Sequence, residues 1–213
     1  DLELIFKRFA TSKIISIDDL FSLNTLGFRG EALPSISAVA RINLISKTSH
    51  SSGYEIEIFN SEKIKHKPAS LSKGTIIEVT NLFKNVPARL KFLSSSNQEA
   101  SKIKTLLSDY SIIHPNVKFS LISDGVNKFS TPGTGNILDA YSSIHGHIIA
   151  KSMLEIEDDD FISGLTSNTT IARGNRSNIK FSVNGRIIKT SSLVYAVETA
   201  YSGLIEPRRY PFT

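Results

Sequence analysis

Two short segments carry residue types suited to holding phosphate. In Gly27-Phe28-Arg29-Gly30-Glu31-Ala32-Leu33, two glycines flank an aromatic–arginine pair just before an apolar run that predicts a helix. Glycine lets backbone N–H groups approach an anion closely, and a helix N-terminus presents unpaired N–H donors. Arg29 adds a guanidinium that can meet a phosphate with two parallel hydrogen bonds. The plain alternative is a glycine-rich loop that only caps a helix, because short glycine patterns recur by chance. Upstream, Thr11-Ser12-Lys13 offers two hydroxyl donors and a point charge. A surface lysine beside a helix cap has the same composition.

A third candidate is electrostatic. The chain has 213 residues with 25 Lys+Arg and 20 Asp+Glu, a formal net charge of +5. Within residues 173–189, Arg173, Arg176, Lys180, Arg186 and Lys189 occur with no acid between them. Such a run can line a groove for a phosphate backbone, or it can be a solubilising surface. The opposite feature, five acids within residues 155–160, predicts a solvated loop. His145-x-His147 and the scattered His50, His66 and His114 have no partners at metal-ligand spacing, so they predict surface or helix-end roles. With no Cys there is no disulfide framework, thiolate metal site or cysteine nucleophile. No apolar stretch is long enough for a membrane-spanning helix.

These candidates must be positioned by a mixture of strands and helices. Alternation predicts strands through residues 41–47, 54–58, 77–79, 117–121 and 179–183. Asp124-Gly125 and Asn184-Gly185 each predict a two-residue hairpin turn, because both positions tolerate positive φ. Helices are expected from Gly30 to Ala40, with Pro34 early enough to be tolerated. Others follow a capping box at Ser96-x-x-Glu99 through Ile103, Leu106, Leu107 and Tyr110; through Ile137, Ala140, Tyr141 and Ile144; and through Leu193, Val197, Ala200 and Tyr201. Thr131-Pro132-Gly133-Thr134-Gly135 is the expected linker, dividing the chain into domains 1–131 and 132–213. The first residues, Asp1-Leu2-Glu3-Leu4, and the last, Arg209-Tyr210-Pro211-Phe212-Thr213, are expected to be interior to a longer protein.

Taken in order, the segments resemble the MutL family of DNA mismatch repair ATPases. The residues that carry this are Ala10-Thr11-Ser12-Lys13-Ile14, Asp18-Asp19-Leu20, and Gly27 through Leu33 with Ser35-Ile36 following. Gly74-Thr75, Asn85-x-Pro87-Ala88-Arg89-Leu90-Lys91-Phe92-Leu93 and Val183-Asn184-Gly185-Arg186 continue the series along nearly the whole chain. The resemblance implies an α+β fold: a GHKL-type α/β sandwich ATPase domain with one mixed sheet, then a smaller domain like ribosomal protein S5 domain 2, both incomplete.

It also implies roles. Thr11, Ser12 and Lys13 would be the lid end that reaches the terminal phosphate of ATP. Gly27, Phe28, Arg29, Gly30, Glu31, Ala32 and Leu33 would hold the triphosphate, and Thr75 would be the adenine-side hydroxyl. Arg176, Lys180 and Arg186 would face DNA. Pro87 and Phe92 are expected to pack, with Arg89 and Lys91 in salt bridges or facing DNA. The family's Glu-x-x-x-Asn and Asp-x-Gly-x-Gly motifs, which supply the general base, the Mg²⁺ ligand and the adenine-reading acid, do not occur in the sequence. Nor does the Val-His-Pro-Ala-Lys motif whose lysine meets the γ-phosphate. No catalytic residue is therefore assigned, and this stretch alone is expected not to hydrolyse ATP. The whole protein would use ATP and Mg²⁺, bind DNA and a MutS-type mismatch recognition protein, form a homodimer through a C-terminal domain, and work in the cytoplasm. The alternatives are a non-enzymatic nucleic-acid-binding module, or another GHKL ATPase such as a topoisomerase subunit.

Overall fold

A computed structural model describes residues 4–20, 25–158 and 161–213. The chain packs as two compact units, residues 1–94 and 95–213.

The first unit opens with single 3-10 turns at Leu4–Phe6 and Asp18–Leu20, followed by helix α1 at Ala32–Ser37. Four strands follow: β1 at Arg41–Lys47, β2 at Tyr54–Phe59, β3 at Glu62–Pro68 and β4 at Gly74–Thr80. They form one antiparallel sheet in the order β3-β2-β1-β4. Alternation in β1 and β2 sends Ile42, Leu44, Ile56 and Ile58 to one face, where each is at most 4% exposed. Ile5, Phe6, Leu33 and Ile36 cover that face. Each of these buried aliphatic side chains contributes about 1.5–3 kcal/mol relative to exposure. Strand β3 escaped the sequence reading because, apart from Ile64, His66 and Pro68, its side chains are charged. It is fixed by pairing with β2 through a two-residue turn, Asn60-Ser61, in which both residues have positive φ.

A short helix, α2 at Pro87–Lys91, closes the first unit, with Pro87 at a position that needs no N–H donor. Asn85 anchors this segment. Its Nδ2 donates to Ala38 O at 3.0 Å and to Asn60 Oδ1 at 2.7 Å. Phe92 does not pack as expected; it is 89% exposed, while Arg89 lies over the Phe83 ring.

The second unit holds α3 at Ser96–Ile113, the hairpin β5 (Ser120–Ser123) and β6 (Val126–Ser130), and helices α4 (Ile137–His145) and α5 (His147–Ala150). The hairpins β7 (Met153–Asp158) with β8 (Ile162–Ser167) and β9 (Phe181–Val183) with β10 (Arg186–Ile188) follow, then α6 at Ser191–Ala200. Tyr141, Ala150, Met153, Leu165 and Phe212 form its core. Both expected hairpin turns are present, with positive φ at Asp124, Gly125, Asn184 and Gly185. Every described strand pairing is antiparallel; the parallel pair that a mixed sheet requires is not among them.

Several expectations are corrected. The capping box of α3 sits one residue earlier: the Ser95 N–H and hydroxyl both donate to Gln98 Oε1 at 3.2 Å. Ile103 and Leu106 are about half exposed, and the fully packed positions of α3 are Ser108 and Ser111. The Ser111 hydroxyl satisfies itself on Ser108 O at 2.8 Å.

Residues 131–135 are not an open linker. Thr131 is 1% exposed and its N–H donates to Phe119 O at 2.8 Å. A Cβ on Gly133 would lie 2.7 Å from the Lys118 nitrogen, so this segment is packed inside the second unit. Glu155, Glu157 and Asp158 belong to strand β7 rather than a loop; Asp159 and Asp160 lie outside the described residues. His145 ends α4 as expected but is not at the surface: its ring lies 4.4 Å from Tyr141 and 6.2 Å from Phe212.

Candidate functional site

In the first unit, the structure brings the two phosphate-candidate segments together. Gly30 has φ +63, and a Cβ there would lie 2.8 Å from the Ala10 carbonyl carbon and 2.9 Å from the Ala10 nitrogen. Only glycine permits this approach, and it sets Thr11, Ser12 and Lys13 directly after the point of contact. The Thr11 hydroxyl accepts from the Lys13 N–H at 3.1 Å, tightening that segment into a turn. A second turn follows, in which Asp19 Oδ2 accepts from the N–H groups of Ile15 and Ser16, each at 2.8 Å. These bonds hold the Asp19 carboxyl below its ordinary pKa.

Among the described residues, neither Lys13 nor Arg29 forms an ion pair, and both side chains are exposed. Arg29 lies over the ring of its neighbour Phe28 at 5.5 Å. Helix α1 starts at Ala32 and is only six residues long. Anion affinity here would therefore come chiefly from the two cations and the loop amides rather than from a helix dipole. Leu33, by contrast, packs on the sheet and anchors the segment.

Thr75 pairs with Ser46 across β4 and β1, and their hydroxyls lie 2.8 Å apart. Ser46 alternates in phase with Ile42 and Leu44, so Thr75 is on the sheet face that α1 covers. On the same face Ile77 and Val79 remain 49% and 44% exposed, an open apolar floor beside the hydroxyl pair. Thr11, Ser12, Lys13, the 27–33 segment and Thr75 thus all belong to the first unit.

The second unit holds the other candidates. Arg176 and Glu198 form a fork: Arg176 Nη2 donates to Glu198 Oε2 at 3.0 Å while Arg176 Nε donates to Oε1. The Tyr210 ring lies 5.1 Å from the same guanidinium. Lys180 Nζ donates to Asp109 Oδ1 on α3. Arg186 opens strand β10 at the hairpin turn. Arg176, Ile179, Phe181, Ile188, Lys189, Thr190, Ser191, Val194, Tyr195 and Glu198 line an open groove of about 590 Å³ between β9–β10 and α6.

Sequence reasoning missed the acids. Asp109 and Glu198 stand 71 and 22 residues from their partners, and no local pattern connects them. It also missed the final residues as an element. Tyr210 pairs with Arg173, Phe212 bonds with Ser167, and Thr213 bonds with Asn178 and Lys180, so the terminal segment is stitched between three others. The alternation of Tyr210 and Phe212 was the available signal.

Comparison with known proteins gives concordant matches. The family model described as DNA mismatch repair protein, C-terminal domain, matches residues 141–213. Proteins named DNA mismatch repair protein MutL are 42% identical over the whole chain in Clostridium tetani and 41% identical over 99% of it in Staphylococcus epidermidis. The chain spans about a third of the length of these relatives, 35% and 33% respectively. Among solved structures, the N-terminal domain of a DNA repair protein superposes with a TM-score of 0.74 at 24% identity, covering 90% of this chain and 64% of that one. The Aquifex aeolicus MutL ATPase domain complexed with ADP gives 0.69 at 22% identity, covering 93% and 74%. At such identities the superpositions establish the fold alone.

Proposed function

Because the chain belongs to the MutL family of DNA mismatch repair proteins, we propose that it supplies part of an ATP site and a DNA-contacting surface to a mismatch repair ATPase. In this reading residues 1–131 belong to the ATPase domain and residues 132–213 to the S5 domain 2-like domain. That is a division by role; the packing units divide at 94–95.

The observation that carries the ATP assignment is the approach of Gly30 to Ala10. It gathers Lys13 and Arg29, two exposed cations without ion pairs among the described residues, onto one unit with Thr75. A triphosphate suits that donor set: Lys13 as a point charge on the terminal phosphate, Arg29 as a fork, and the amides of 27–31 as neutral donors. The hydroxyl of Thr75 beside the Ile77–Val79 floor suits the edge of an adenine ring. Gly27, Phe28, Glu31, Ala32 and Leu33 shape this segment rather than react.

Phosphoryl transfer depends on positioning and electrostatics. This chain has some of the electrostatics, while the residues that would activate water and bind Mg²⁺ are not encoded in it. The hydrolytic activity, the Mg²⁺ requirement, the MutS-type partner, the C-terminal homodimer and a cytoplasmic location are therefore proposals for the whole protein.

The test is ATP binding by full-length protein with Arg29→Ala or Lys13→Ala. Charge-assisted hydrogen bonds contribute about 1.5–3 kcal/mol each, so each substitution should weaken binding by roughly 10-fold or more in calorimetry. Unchanged affinity in both variants would remove the site. Turnover by the 213-residue chain comparable to an intact relative would overturn the expectation that this stretch alone does not hydrolyse ATP, and would leave the ATP site standing.

DNA contact through Arg176, Lys180 and Arg186 is supported by the basic run, which has no acid between its members in sequence, and by its hairpin. Such contact would be largely sequence-independent and salt-sensitive.

A further inference from the structure

The basic run of residues 173–189 has no acid in sequence, but in space it is partly neutralised. Glu198, from α6, takes Arg176 in a fork that uses both carboxylate oxygens. Asp109, from α3, takes the Lys180 ammonium. Two planar-fork donors meeting two acceptor oxygens is also the geometry by which arginine holds a phosphodiester. Tyr210 lies under the guanidinium and fixes its plane, so the fork is pre-aimed.

The exposures are asymmetric. The Arg176 and Lys180 side chains are 59% and 35% exposed, while Glu198 and Asp109 are 22% and 15%. Arg176 therefore faces solvent and Lys180 is half-buried, each more open than its acid, so an incoming anion can approach them from the solvent side.

We propose that Asp109 and Glu198 are built-in phosphate mimics that hold Lys180 and Arg176 neutralised until a nucleic-acid backbone displaces them. The inference rests on the reading of this face as a DNA-contacting surface. It adds that the surface is self-screened, so that weak or isolated anions do not engage it. Exposed ion pairs exchange readily. A DNA backbone brings the additional gain of counterion release, which a single carboxylate or a free ion cannot match.

The experiment uses the whole 213-residue chain and a 20-base-pair mixed-sequence duplex, followed by fluorescence anisotropy from 50 to 200 mM NaCl. Asp109→Asn and Glu198→Gln each free one cation. Each should raise affinity by roughly 1.5- to 5-fold throughout that range, because the competing carboxylate is gone, while the slope stays at the parent value, since the same phosphates are contacted in both proteins. The double variant should gain from both. Unchanged affinity in variants with native circular dichroism overturns the proposal and leaves the pairs as clamps on the fold.

Arg186→Glu separates the two levels. If it flattens the slope while the amide variants change nothing, the mimic idea fails and the DNA surface stands. If it also leaves the slope unchanged, the surface reading fails and the mimic idea with it. Should either amide variant unfold, Lys180→Gln and Arg176→Gln in the parent chain decide the matter. Each lowers the slope by about 0.9 if its cation reaches phosphate, and an unchanged slope for both overturns the proposal.

Discussion

Gly30→Ala should cost the first unit far more than an ordinary glycine substitution. Two effects add. At φ +63 an L-residue costs about 1–2 kcal/mol. The new Cβ would also stand 2.8 Å from the Ala10 carbonyl carbon and 2.9 Å from its nitrogen, both backbone atoms that cannot rotate away. Overpacking of this kind costs about 1–3 kcal/mol more. A total of roughly 2–5 kcal/mol follows, and at 4–8 °C per kcal/mol for a domain of under about 100 residues the melting temperature should fall by roughly 8 °C or more. Hydrogen exchange at the β1 amides of Ile42 and Leu44 isolates the first unit from the second. Gly27→Ala is the control, since a Cβ there meets nothing within 4 Å and no positive φ is involved. Gly30→Asn divides the two costs, because asparagine tolerates left-handed φ but still brings a Cβ. If Gly30→Ala matches Gly27→Ala in exchange and melting, the contact between Gly30 and the Ala10 backbone is wrong, and the ATP site loses its main support.

Two further outcomes concern the second unit. Phe212→Ala removes a side chain that is 2% exposed against Tyr141, Met153 and Leu165. It should cost about 3–5 kcal/mol in urea unfolding, and a loss below about 1 kcal/mol would show that the terminal segment is not stitched into the core. His145 is held below its ordinary pKa of 6.5, first by burial and then by Lys180, Arg173 and Lys104, with Asp109 opposing. A depressed histidine leaves the unfolded chain binding more protons, so this contribution is full above pH 6.5 and is lost as pH falls through the lowered folded value. The urea midpoint should therefore drop between pH 7.5 and 5.5, and His145→Gln should flatten that drop; an equal pH dependence in both proteins contradicts the burial of this ring.

The sequence by itself determined what depends on neighbours in the chain. Asn184-Gly185 and Asp124-Gly125 specify tight hairpins because positive φ is a local demand. The alternation of Ile42, Leu44, Ile56 and Ile58 specifies strands with one buried face. The ordered motifs from Thr11 to Arg186 identify the family.

Tertiary structure decided what depends on distant partners. Arg176 and Lys180 read as unopposed charge until Glu198 and Asp109 arrive from other helices. Residues 131–135 have linker composition, yet the buried Thr131 finds a backbone partner in Phe119. The apolar positions Ile103 and Leu106 suggest the buried face of α3, but the packing around the helix buries the small Ser108 and Ser111 instead. Gly30 has the same composition signal as Gly27, and only the arrival of the Ala10 backbone makes one of them irreplaceable. Turn chemistry and periodicity are written within a few residues, whereas ion pairing and close packing are set by whichever chain segment the fold brings alongside.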